Sequence, residues 1–144
     1  YSPSKDRIVL PAPGQFKDME SFQMTALHEM AHSTGHSSRL DRGLHHPFGT
    51  CGYAREEIIA EFTAAVTGRD LGIAVTPRKE NAQYLKSWLA NLKEDPGYVM
   101  SVLREAGKAS AMIEESVEKQ HTLADTSARE EDISPTSHKR RKKQ

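Results

Sequence analysis

The chain has 144 residues, 36% of them hydrophobic, and its 20 basic and 20 acidic side chains cancel, which fits one domain with a real core and speaks against binding nucleic acid, or mimicking it, through bulk charge. Cys51 is the only cysteine, so an internal disulfide and a thiolate zinc cage are both excluded and a reducing cytoplasm is the natural location. The longest apolar runs are too short to span a bilayer and no signal-peptide core opens the sequence, so no membrane partner is expected.

Taken in chain order, residues 1 to 19 contain the β-branched run Arg7-Ile8-Val9-Leu10, closed by Pro11, Pro13 and Gly14, which predicts one strand followed by a loop. Such a strand belongs to the core or offers a sheet edge for an extended peptide. From Glu20 the period changes, with Phe22, Leu27, Met30 and Ala31 at helical spacing and an end near Gly35. Residues 36 to 52 mix Gly, Pro, Ser and His without a period and predict a structured loop. A second helix is expected near Tyr53, with Ile58, Ile59, Phe62 and Val66 on one side and an end at Leu71-Gly72.

A third helix is expected at about Asn81 to Leu92, with Trp88 in its buried stripe. Asp95-Pro96 then offers an N-cap and a proline at N1 for a fourth, through Val99, Val102, Leu103, Ala106 and Ile113. The expected fold class is α+β, helix-dominated with a small sheet. Residues 1 to 118 form the expected domain, with 13 basic and 16 acidic residues, and residues 119 to 144, with 7 and 4, an expected disordered basic tail. The run Lys139-Arg140-Arg141-Lys142-Lys143 is able to meet the phosphates of single-stranded DNA, although a solvated terminus is the commoner fate of such a run.

The chemistry gathers in His28-Glu29-Met30-Ala31-His32. Residues four apart on a helix lie one above the other, so both imidazoles can reach a single Zn²⁺. Glu29 beside them can take the proton of a water acidified by the ion. A chance HExxH is not rare in a chain this rich in His and Glu; its place on an amphipathic helix, followed by a second helix bearing carboxylates, favours a metal site.

A catalytic zinc needs a third protein ligand. The pattern in which a histidine follows at position 38 fails, because that residue is Ser38, and His36 is out of register by two and better suited to a supporting role. Glu57 is the stronger candidate, with Glu61 one turn later to orient a ligand histidine from behind. The plain alternative makes Glu56, Glu57 and Glu61 a solvated face, but Ile58, Ile59 and Phe62 place these carboxylates at the border of an apolar stripe. Arg39, His45, His46 and Tyr53 fall in or beside the loop, where a donor can stabilise an oxyanion, and Tyr53 is preferred. Nothing marks Cys51 as an activated nucleophile.

The succession YSPSKDRIVLP, LHEMAHSTGHSSRL, FGTCGYAREEIIAEF and YLKSWLANLKEDP resembles the metallopeptidase domain of ArdC-type antirestriction proteins, over nearly residues 1 to 115. That resemblance implies a zincin-like fold of polyvalent proteins from plasmids and phages, zinc ligands at His28 and His32, a catalytic Glu29, and a glutamate ligand from the EEIIAE helix. Domains of this family often follow an N-terminal domain that binds single-stranded DNA, and the opening on Tyr1 rather than Met raises the expectation of a missing upstream segment. Two functions compete: hydrolysis of a protein or peptide substrate, and a non-proteolytic zinc module that protects DNA. Glu29 favours the first, since a purely structural site has no use for it.

Overall fold

The computed structural model describes residues 1–73, 86, 90 and 93–132. Apart from residues 86 and 90, the helix expected over Asn81 to Leu92 lies outside the described residues, as does the basic run 139–143. Among the described residues three long helices carry the fold: α1 (Met19–Thr34), α2 (Cys51–Asp70) and α3 (Pro96–Asp132).

Each helix starts where a short polar side chain satisfies a free backbone amide. Asp18 accepts from Ser21 N at 2.7 Å, Thr50 from Tyr53 N at 3.3 Å, and Asp95 from Tyr98 N at 3.0 Å. The cap at Asp95 and the proline at the head of α3 are as the sequence predicts. Gly35 ends α1 in the right-handed region, at φ −83°, so a left-handed cap is not why a glycine stands there.

The sheet is a correction. Among the described residues there is no strand, only an isolated antiparallel bridge in which Ser2 N donates to Arg7 O at 2.9 Å and Arg7 N to Ser2 O at 3.3 Å. The chain folds back on itself through Asp6, whose φ is +46°. Ile8, Val9 and Leu10 then run on unpaired: no second segment of similar character lies among the described residues, and Pro11 and Pro13 cannot donate to a ladder. Val9 is 72% exposed. The described fold is helical, and the edge-strand reading for peptide binding falls with the sheet.

Small residues let α1 and α2 approach closely. Leu27 and Ala31 from α1 meet Ala60 and Ala64 from α2, with Ile113 of α3 closing the cluster and Met24, Met30 and Ile73 around it. On the other side of α2, Ile59 packs with Val99 and Val102, flanked by Ile58, Phe62 and Tyr98. The buried positions Val99, Val102, Ala106, Ala109 and Ile113 recur at three- and four-residue spacing along α3. Leu103 and Val66, expected on buried stripes, are 41% and 43% exposed. Two polar groups inside this layer are paired, Thr67 Oγ1 with Ser110 Oγ at 2.9 Å.

By its contacts the chain divides into Tyr1–Glu114 and Glu115–Gln144. Burial along α3 ends with Ile113, while the helix itself continues to Asp132 with exposed residues from 115 to 130. Among the described residues no helix is long and apolar enough to cross a membrane.

Candidate metal centre

The packing of α1 on α2 brings two imidazoles and a carboxylate together at the edge of the core. His28 and His32 flank the buried Leu27 and Ala31, and Glu57 and Glu61 border the buried Ala60 and Ala64. Once the small residues interlock, the polar shoulders of both helices must face each other.

Glu57 meets both histidines. Its Oε2 lies 3.3 Å from His28 Nε2 and its Oε1 lies 3.1 Å from His32 Nε2, while the two Nε2 atoms are 3.1 Å apart. His28, His32 and Glu57 thus offer one ligand atom each, all within 4.8 Å of one another. Ligands about 2.0–2.2 Å from a tetrahedral ion stand roughly 3.3–3.5 Å apart, so the donor set fits a divalent metal in both chemistry and spacing.

The far nitrogens are held as well. Glu61 Oε1 lies 3.1 Å from His28 Nδ1, and Glu56 Oε1 lies 3.2 Å from His32 Nδ1. A carboxylate on Nδ1 keeps the proton there and turns the Nε2 lone pair toward the ion. In the metal-free protein the same groups attract protons. Burial pushes His28 down, but hydrogen bonds to Glu57 and Glu61 outweigh it and raise its pKa to about 9. His32 is raised too: burial and the facing His28 oppose the shift, and Glu56 and Glu57 prevail. Hydrogen bonds from His28 and His32 hold Glu57 far below the usual carboxylate range despite its burial.

A family model for zincin-like metallopeptidases matches residues 1–105. The chain belongs to the zincin-like metallopeptidase family. It is 47% identical over 108 residues to DNA primase TraC of Escherichia coli, a stretch covering 75% of this chain and 10% of TraC. It is 35% identical over 106 residues to the uncharacterised protein y4eC of Sinorhizobium fredii, covering 74% of this chain and 34% of that one. Two crystal structures of the antirestriction protein ArdC from the R388 plasmid are similar in fold. The Mn(II)-bound form gives a TM-score of 0.68 at 35% identity, over 80% of this chain and 43% of ArdC. The metal-free form gives 0.67 at 33% identity, over 83% and 43%. This zincin-like chain therefore spans a tenth of TraC and less than half of ArdC.

The other residues singled out in the sequence lie as follows. Glu29 follows His28 directly on α1, and its Oε2 is hydrogen-bonded by the Tyr1 nitrogen. His36 Nδ1 is engaged by Ser38, 2.7 Å from the hydroxyl and 3.1 Å from the amide. Arg39 ties the N-terminal turn to α1, donating Nε to Ser33 O at 2.8 Å and pairing with Asp6 through Nη2. Tyr53 sits one turn before Glu57 on α2, its ring edge-on to the exposed Phe48 at 5.1 Å between centroids. His46 lies against Gly52, where a Cβ would be only 2.3 Å from its Nδ1. Cys51 is exposed.

Two members of the site escape sequence reasoning. Glu56 reads there only as part of an acidic face, and Arg42 not at all. Arg42 sends Nε to Glu56 Oε2 at 2.9 Å and Nη2 to Glu56 Oε1 at 2.8 Å, while Nη1 reaches Thr34 Oγ1 and Nη2 also reaches Ala31 O, both at 2.8 Å. Its side chain is only 2% exposed. The one signal available is the tripeptide Asp41-Arg42-Gly43, where Asp and Gly tolerate left-handed backbone; both adopt it, at φ +50° and +67°.

Proposed function

We propose that this zincin-like domain is a zinc peptidase, with His28, His32 and Glu57 as ligands and Glu29 as the general base. The convergence of Nε2 of both histidines on the two oxygens of Glu57 carries the reading. Two imidazoles and one carboxylate suit zinc and leave a position open to water or substrate. The Mn(II) in the ArdC crystal structure supports a divalent ion in this family. When bound, such an ion supplies Lewis acidity toward a peptide carbonyl and acidifies water.

The protein's own groups do the rest. Glu61 and Glu56 orient His28 and His32 through their Nδ1 atoms. Glu29 takes the proton of the attacking water and delivers it to the leaving amine. Tyr53, one turn ahead of Glu57, is the candidate donor to the carbonyl oxygen as charge develops on it. His36, whose Nδ1 is engaged by Ser38, has no step in this reading.

A substrate protein encountered during DNA transfer suits the relatives' names, antirestriction protein and DNA primase. Those names equally favour a second reading, in which the domain protects DNA by binding and hydrolyses nothing. Contact with single-stranded DNA would then come from the basic run 139–143 or from a neighbouring domain. The variant Glu29→Gln separates the two readings. It is expected to keep metal and fold while losing hydrolysis of a panel of host and phage proteins by at least ~10² in rate. Unchanged hydrolysis sinks the mechanism, and intact antirestriction by the variant favours the binding reading.

A further inference from the structure

We infer that Arg42 is a positioning residue for the metal centre: by clamping Glu56 side-on with its guanidinium fork, it fixes His32 with Nδ1 toward Glu56 and Nε2 toward the ion. This rests on the proposed metal site, though not on hydrolysis. The chain of contacts is continuous. His32 Nδ1 is 3.2 Å from Glu56 Oε1, and Arg42 spans both Glu56 oxygens at 2.8 and 2.9 Å. A fork-to-carboxylate pair of this kind sets the plane of the carboxylate as well as its charge.

Burial makes the pairing consequential. With Arg42 at 2% and Glu56 at 14% side-chain exposure, an unpaired Glu56 would be a desolvated carboxylate beside a metal ligand, free to turn away. The guanidinium is itself fixed at its other edge by Thr34 Oγ1 and Ala31 O. Those groups belong to the same helix as His32, so the clamp references the imidazole to its own backbone.

Gly35 makes room for this arrangement. A Cβ there would stand 2.8 Å from both Cζ and Nη2 of Arg42 and 2.8 Å from Leu44 Cδ2. Because its backbone is in the ordinary right-handed region, the requirement for glycine comes from the passing guanidinium and the Leu44 side chain beside it.

The test uses Arg42→Lys, which keeps the charge and stem but not the fork, together with Glu56→Gln and the double variant. Two measurements are made on the full chain: zinc affinity by chelator competition and the visible spectrum of the cobalt(II)-loaded protein. Arg42→Lys is expected to weaken zinc binding about 10–100-fold, within the usual loss for an outer partner, and to shift the cobalt bands. The double variant should be no weaker than the worse single one, since both break one chain of contacts. Should Arg42→Lys fail to fold, Gly35→Ala displaces the same guanidinium with every hydrogen-bonding group retained, and a several-fold loss of zinc affinity is expected. Wild-type affinity and spectra in the folded variant, or additive losses, overturn the inference and leave Arg42 a purely structural pin. Loss of affinity in a protein that hydrolyses nothing supports the inference and sinks only the peptidase reading; a wild type that binds no metal overturns both.

Discussion

Glu57 bridges His28 and His32, with one carboxylate oxygen 3.3 Å from the first imidazole and the other 3.1 Å from the second. No other carboxylate contacts the Nε2 atoms of both histidines among the described residues, and from this comes a ranking. Glu57→Ala should weaken zinc retention most, since two histidines cannot close a three-ligand site. Glu61→Ala, which frees only His28 Nδ1, should cost about 10–100-fold. His36→Ala should change affinity little. Chelator competition orders the three, and a series led by Glu61 or His36 would reassign the third ligand.

Protons and metal compete for the same histidines. The pKa of His28 is raised from 6.5 to about 9 in the metal-free fold, by Glu57 and Glu61 against the effect of burial. The stability this contributes is therefore fully present below the unfolded value and lost as pH rises through about 9. Urea unfolding of metal-free protein across that window is expected to show the decline. Zinc requires the neutral imidazole, so uptake near neutral pH should release protons and tighten as pH rises. Calorimetry in buffers of different ionisation heat reads the release, and metal uptake without it would contradict the protonated state of the empty site.

Ile59 lies about 200° around the helix from Glu57 and is fully buried against Val99 and Val102. Ile59→Ala should cost about 2–5 kcal/mol of stability by opening a cavity. Zinc affinity in the folded variant should stay at the wild-type level, because the substitution faces α3 and not α1. A large loss of affinity without loss of stability would mean that the site depends on α3 more than the contacts imply.

Much of the centre was legible in the sequence because helical geometry is local. His28 and His32 must share a face wherever their helix goes, and Glu57 and Glu61 likewise. Asp95 and Pro96 announced the head of α3 for the same reason: capping is satisfied within a few residues. Pattern failed where the outcome depended on a distant partner. Arg7 to Leu10 has the composition of a strand, but a strand exists only by pairing, and among the described residues nothing pairs with it beyond the single bridge at Ser2.

The sequence by itself determined which side chains are able to bind a metal and that each pair shares a helix face. Only the tertiary structure decided that the pairs meet, because the meeting depends on Ala31, Ala60 and Ala64 being small enough for α1 and α2 to close. It also decided what the surrounding charges do. Glu56 differs from Glu57 by a single position, yet that step turns it about 100° around the helix, toward Arg42 and the back of His32. Arg42 arrives there from a loop, through two left-handed residues and past a glycine, along a path no periodicity encodes. Periodicity records which residues face the same way; three-dimensional packing alone records what they face.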